Sequence, residues 1–187
     1  MKDEVRVLGI DDGYFSKYRD RSVLVVGAIL RGNKNLEGVL SCYITKDGDD
    51  STKQLIELVN KSKHRNQLRY MMTNGTSLGG FNLIDINELY RKTRIPVLAV
   101  FRKRPNKQKV ERALDNFRDK KIRLERIRKA GQIYSHRRLY FQMAGLSERE
   151  ARELIDKTVK IGNLPEPVRI AHLIASGVTY GESTKRA

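Results

Sequence analysis

Val5-Arg-Val-Leu-Gly-Ile10 runs without a break into Asp11-Asp12-Gly13, and Ser22-Val-Leu-Val-Val-Gly-Ala-Ile-Leu30 follows after a polar connection. The first stretch is a short β-branched run. The second is almost continuously apolar, as a strand covered on both faces must be. Gly32, Asn33 and Asn35 mark a tight turn, and Leu36–Ile44 (LEGVLSCYI) reads as a third strand, antiparallel to the second because the connection is so short. Outward from this opening the pattern alternates. Ser51-Thr52-Lys53-Gln54 reads as a capping box for a helix with Leu55, Ile56, Leu58 and Val59 on one face. Leu68–Met72 is a fourth strand that ends in Thr73-Asn74-Gly75. Ile84–Lys92 is a helix, and Ile95–Phe101 a fifth strand with Pro96 tolerated at its entry. Ser147-Glu148-Arg149-Glu150 is a second capping box, and Pro165 and Pro167 bracket the start of a last helix continuing through Ile174. Three antiparallel strands followed by alternating helices and parallel strands predict one α/β domain over residues 1–187, with a mixed five-stranded sheet flanked by helices.

Composition narrows the partners more than the fold. The 187 residues carry 38 Lys and Arg against 22 Asp and Glu, a formal net charge of +16. A chain this basic is expected to meet phosphate, in DNA, RNA or an anionic membrane surface. The single cysteine, Cys42, excludes an internal disulfide framework and a Cys-based zinc site, and no disulfide-linked partner is expected. The opening MKDEVRVLGIDDG lacks the apolar stretch of a secretory signal, and no apolar run is long enough to span a bilayer. A cytoplasmic location without membrane attachment is the expectation.

The charge is concentrated. Arg102–Arg138 holds 15 Lys or Arg against four acids. One reading is a solvated, salt-bridged helical face. The imbalance favours phosphate contact instead, because like charges one helical turn apart repel. Aromatic residues Tyr134, Tyr140 and Phe141 flank Arg137 and Arg138, and basic residues interleaved with aromatics suit phosphates and stacked bases. Arg102, Lys103, Arg104, Lys107, Arg137 and Arg138 are the candidate nucleic-acid contacts. There is no zinc finger, RRM signature or P-loop to name a module.

The acids cluster elsewhere: Asp11 and Asp12 after strand one, Asp47, Asp49 and Asp50 after strand three, then Asp85 and Glu166. If strands one and four are neighbours, Asp11 lies beside Asn74. Carboxylates at adjacent strand ends make the oxygen-rich site that Mg²⁺ or Mn²⁺ prefers. Two such ions about 4 Å apart can activate a water and hold the leaving oxygen of a phosphodiester. The competing reading is turn chemistry at Asp12-Gly13 and helix capping at Asp50. His64, His136 and His172 lack metal spacing and read as structural, with proton donation the alternative role for any one of them. Gly79-Gly80 reads as a close backbone approach.

Several stretches together resemble the endonuclease V superfamily, whose fold is RNase H-like. Leu8-Gly9-Ile10-Asp11 is similar to its first-strand Gly-Val-Asp. Asn74-Gly75, Leu78-Gly79-Gly80 and Thr93-x-Ile-Pro-Val-x-x-Val100 are similar to its Asp-Gly motif and the following Ile-Pro strand. Leu164-Pro-Glu-Pro-Val-Arg-Ile-Ala171 is similar to its C-terminal signature. Within the superfamily the likeness is to an archaeal group sometimes called endonuclease dU, through Gly9-Ile-Asp-Asp-Gly13, Gly80-Phe-Asn82 and Gly181-Glu-Ser-x-x-Arg-Ala187. The resemblance implies a Mg²⁺- or Mn²⁺-dependent endonuclease that cuts a phosphodiester near a deaminated or altered base, with a role in DNA repair. Carried over residue by residue, it puts Asp11, Asp47 and Asn74 on the metal, with Asp50 the alternative to Asp47, and Asp12 is read beside them as a further catalytic acid. Three departures stand out. Asn74 replaces the family's third acid, Ala144-Gly145-Leu146 stands where the family has Gly-His, and Glu37–Leu40 lacks the proline-rich wedge. The alternative is a catalytically silent nucleic-acid-binding protein that keeps the fold and the basic face.

Overall fold

The computed structural model describes residues 4–183. Arg186 and Ala187 of the C-terminal likeness lie outside the described residues. Nine strands and six helices follow in the order β1 (Arg6–Asp12), β2 (Ser22–Arg31), β3 (Asn35–Thr45), α1 (Ser51–Asn60), β4 (Leu68–Asn74), β5 (Ser77–Leu78), β6 (Asn82–Leu83), α2 (Ile86–Thr93), β7 (Val97–Phe101), α3 (Lys107–Ala113), α4 (Lys120–Lys129), β8 (Tyr134–His136), β9 (Leu139–Ala144), α5 (Glu148–Thr158) and α6 (Glu166–Tyr180). The main sheet is mixed, in the order β3-β2-β1-β4-β7-β9-β8, and β5 and β6 form a separate ribbon. β1 pairs antiparallel with β2 and parallel with β4, which pairs parallel with β7. The five strands expected from the sequence are joined by β8 and β9, which extend the sheet to seven. That hairpin closes through His136-Arg137-Arg138, with Arg137 at φ 53°, so the basic run conceals a turn.

Period-two alternation puts the two faces of β1 to different uses. Leu8 and Ile10 join the core under α1 and α2, with Leu55, Val59 and Leu89. Val7 faces the other way, into a second core with Met72, Leu98, Leu154 and Val168 under α5 and α6. Gly9 shares that second face. A side chain there would run into the backbone of Pro167 and Val168, so glycine is what lets the start of α6 lie directly on β1.

Helix ends follow local chemistry, with one correction. The Ser147–Glu150 capping box is present at α5. The expected box at Ser51 is not: the α1 cap, Asp50, makes no side-chain cap bond. Ser51 is buried in the first turn. Its N–H donates to Asn82 Oδ1 at 2.9 Å and its hydroxyl to the Leu83 carbonyl at 3.0 Å. Strand β6 therefore caps this helix from outside. Glu166 and Arg169 form a two-pronged ion pair at 2.7 and 2.8 Å in the first turn of α6, so Glu166 is engaged in fixing the helix start. Among the described residues, no helix is long and apolar enough to cross a membrane.

Candidate acidic site at the carboxyl edge of the sheet

The parallel strands β1, β4 and β7 end on one edge, at Asp11-Asp12, Asn74 and Phe101. The carboxyl edge of such strands is where α/β sheets commonly hold ligands. Ile10 pairs with Thr73, which places the next residues, Asp11 and Asn74, side by side. Asn74 Nδ2 donates to Asp11 Oδ2 at 3.2 Å, as the neighbouring-strand reading expects.

Asp11 shares the α6 face of β1 with Gly9. Gly9 meets Pro167 and Val168, and Gly13 meets Ala175 and Thr179, so α6 runs alongside β1 in the same direction. Two residues of strand advance about 6.6 Å and four of helix about 6 Å. One turn past Val168 therefore falls over Asp11, and that residue is His172. Its Nδ1 lies 2.8 Å from Asp11 Oδ2, and Asp11 is only 2% exposed. The sequence reading left His172 among structural histidines. The signal it needed was the Gly9-x-Asp11-x-Gly13 spacing, which clears one strand face for a helix. The other histidines do stay structural: His136 bonds Asp156 at 2.9 Å, and the His64 ring packs over Gly38.

Asp12, at the very end of β1, keeps its carboxyl against that of Asp11 and accepts the Gly79 N–H at 2.7 Å. Burial, and then the charge of Asp11 beside it, push its carboxyl up to about 7. The Gly79–Phe81 turn links it to Asp47. Asp47 N–H donates to the Gly79 carbonyl at 2.8 Å, and Asp47 Oδ1 accepts from Phe81 N–H at 2.9 Å. Asp47 adopts φ 53°, and a side chain on Gly80 would collide with its carboxylate. Gly79-Gly80 is thus the close approach expected. Asp50 turns away, accepting from Thr45 and from Asn82 Nδ2, and those bonds hold its carboxyl below the usual range against the opposing effect of burial. The structure therefore gathers Asp11, Asp12, Asn74 and His172. Asp47 clasps the far side of the glycine turn, and Asp50 braces α1. Among the described residues, no three of His, Cys, Asp and Glu converge in a geometry that would hold a metal ion.

The chain leaves β7 at the same edge. Arg102, Lys103, Arg104 and Lys107 are exposed, and Arg137 and Arg138 of the β8–β9 turn border one surface depression with Arg102–Arg104. Arg137 pairs with Asp156 at 2.6 Å. Further along, the basic segment turns inward. Arg123 is buried, bonds Asp119 and the Phe81 and Asp47 carbonyls, and lies 4.3 Å from the Phe117 ring centre. Arg126 pairs with Asp49. These two arginines pin the Asp47 loop. Between the segment and the edge lies a cavity of about 580 Å³, lined by Thr76, Ser77, Phe81, Phe101, Ile127 and Gln142.

The family model for Endonuclease dU matches residues 3–179. The chain belongs to that family. A UPF0215 protein of Methanothermobacter thermautotrophicus is 46% identical, over 98% of this chain and 92% of its own. A crystal structure of a protein of unknown function from Archaeoglobus fulgidus superposes with a TM-score of 0.88 at 40% identity, over 94% of this chain and 98% of that one. Endonuclease V of Ciona intestinalis, in complex with a 24mer DNA containing an inosine followed by a ribo-adenosine, superposes with a TM-score of 0.58 at 13% identity, over 90% and 82%. The last likeness establishes the endonuclease V-like fold alone.

Proposed function

We propose that this endonuclease dU family member is a divalent-metal-dependent nucleic-acid endonuclease that cuts a phosphodiester beside an altered base. The observation that carries the reading is Asp11, buried at the carboxyl edge between Asn74 and His172. Two adjacent carboxylates, one of them strongly destabilised as an anion, form an oxygen-rich pair that a cation would relieve, so the donor set suits Mg²⁺ or Mn²⁺. Asp11, Asp12 and the Asn74 carbonyl oxygen would hold it, with Asp47 the nearest further acid along the glycine turn. When bound, such an ion supplies a water nucleophile and offsets charge on the leaving oxygen. His172 orients Asp11. Arg102, Lys103, Arg104, Lys107, Arg137 and Arg138 bind the phosphates that flank the cut, DNA or RNA. The cavity between Phe81 and Phe101 is large enough for an extruded base, with Thr76 and Ser77 supplying polar groups at its wall. The fold shared with an endonuclease V that binds inosine-containing DNA supports the same reading.

The test is a labelled strand carrying deoxyuridine or deoxyinosine, incubated with Mn²⁺. Nicking beside the altered base, and not in the unmodified strand, is the expected result. Failure to nick either strand sinks the proposal. Asn74 favours a second reading, a silent nucleic-acid-binding protein, because an amide brings no charge to the ion. Asn74→Asp separates the two. It should tighten Mn²⁺ binding and speed nicking if the site is catalytic, and leave nicking absent if the protein only binds.

A further inference from the structure

The loop from Gly13 to Arg21 leaves β1 one residue after Asp12, on the flank of the acidic site away from Arg102–Arg104. β1 and β7 are separated only by β4, so the two flanks stand about 10 Å apart across the edge. The loop is firmly anchored. Gly13 N–H donates to the Leu24 carbonyl at 2.8 Å, and Tyr14 N–H donates to Thr179 Oγ1 at 2.7 Å. Lys46 N–H donates to the Arg21 carbonyl at 2.9 Å, and Lys46 Nζ reaches the Lys17 carbonyl at 2.5 Å.

On this frame the loop presents aromatic rings and cations to solvent. Tyr18 is 88% exposed, with Lys17 Nζ 5.7 Å from its ring centre. Tyr14 is 55% exposed and its ring lies 5.1 Å from that of Tyr180 on α6. Lys17, Arg19 and Arg21 are exposed beside the half-buried Lys46. The loop's one acid, Asp20, accepts Ser16 N–H at 2.5 Å and offsets one of the four, so cations stay in excess on this rim. An exposed ring ordered within a loop gains nothing from folding, and four cations on one rim repel. A ligand that offers π-faces and phosphates answers both features. Duplex stacking hides the faces of paired bases, so the ligand is single-stranded.

We infer that this loop is a stacking platform for a single-stranded segment of nucleic acid next to the acidic site, with Tyr18, and Tyr14 behind it, against the bases and Lys17, Arg19, Arg21 and Lys46 along the phosphates. The inference rests on the proposed function for its substrate class, but its test does not depend on cleavage. Fluorescence anisotropy in EDTA would compare a short labelled deoxythymidine strand, an abasic strand of equal length and a duplex. The parent should prefer the base-bearing strand over the abasic one. Tyr18→Ala should lose about fivefold or more in affinity for the base-bearing strand and erase that preference. Tyr18→Phe should keep the preference, and duplex binding should be unchanged in both variants. Equal binding of all three probes by Tyr18→Ala and parent overturns the platform, as does a Tyr18→Ala loss that is the same for abasic and base-bearing strands. A protein that stacks through Tyr18 yet never nicks would sink the proposed nuclease and leave the platform standing. One that nicks while indifferent to Tyr18 would do the reverse.

Discussion

The acidic edge at β1 and the basic segment from Arg102 to Arg138 hold their charge in contrasting ways. Asp11 is buried, with partners from β4 and α6 fixed on it before any ligand arrives. Arg102, Lys103 and Arg104 stand in water. Within the basic segment, Arg123 and Arg126 behave like the acids: they have turned inward to bind the Asp47 loop. A run of like charge is therefore two things at once, a set of structural staples and a surface, and burial tells them apart. Preorganisation belongs to the acids and reach to the exposed bases.

The comparison can be broken in four places. The largest expected effect is at the edge. Asp11→Ala should abolish Mn²⁺-dependent nicking, and His172→Ala, which removes a group that orients a ligand, should lower it about 10–100-fold. Both should bind nucleic acid as the parent does. Gel assays of nicking alongside anisotropy would check this. Next is Arg123→Ala, which strands Asp119 and two carbonyls. It should cost about 3–5 kcal/mol, or roughly 6–20 °C in Tm, by thermal unfolding. Asp119 gives a second readout, because its bond to Arg123 holds its carboxyl below the usual range.

Third, reversing Arg102, Lys103 and Arg104 to Glu should leave stability within about 0.5 kcal/mol per site. It should flatten the log–log salt dependence of duplex binding by about 2.7, from roughly −5 for six contacts. A triple variant that melts early, or binds as the parent does, would place these residues with Arg123 instead. The fourth test concerns pH. Asp12 in the folded protein keeps its proton up to about 7, against an ordinary value of 3.8. Between those values the folded state holds a proton that the unfolded chain has released. In metal-free buffer the associated stability is complete below about pH 4 and is lost as pH rises through 7. Asp12→Asn should remove that slope and raise Tm at pH 7, by about 2–4 °C for each kcal/mol recovered.

Strands were legible where burial dictates composition, as in β1, β2 and β7. The adjacency of β1 and β4 was only a condition in the sequence, and their parallel pairing is what brings Asp11 to Asn74. The β8–β9 hairpin was overlooked although Leu139-Tyr-Phe-Gln-Met143 alternates as a strand does, because the charge of Arg137 and Arg138 and the aromatics around them read as a phosphate and base contact. The cap of α1 was misread because its partner, Asn82, comes from a strand 31 residues further along the chain. His172 was missed for a related reason: local spacing reports neighbours on one element, whereas this contact depends on how a glycine face seats a distant helix. Asp47 and Asp50 illustrate the converse. Their sequence context leans to turn and cap chemistry while still allowing a ligand, and only hydrogen-bond partners distinguish the roles.

The seam between β1 and α6 also sets a schedule for synthesis. Asp11 and His172 are 161 residues apart in the chain. On a ribosome the β1–β2–β3 meander can pair as soon as it emerges, because its contacts are local. The acidic edge has to wait for α6, which packs on β1 and β2 and reaches β1 through the gap left by Gly9. Until then Asp11 sits at the edge of a half-built sheet without its histidine. Whatever chemistry this edge performs therefore becomes possible only once the chain has been made through α6.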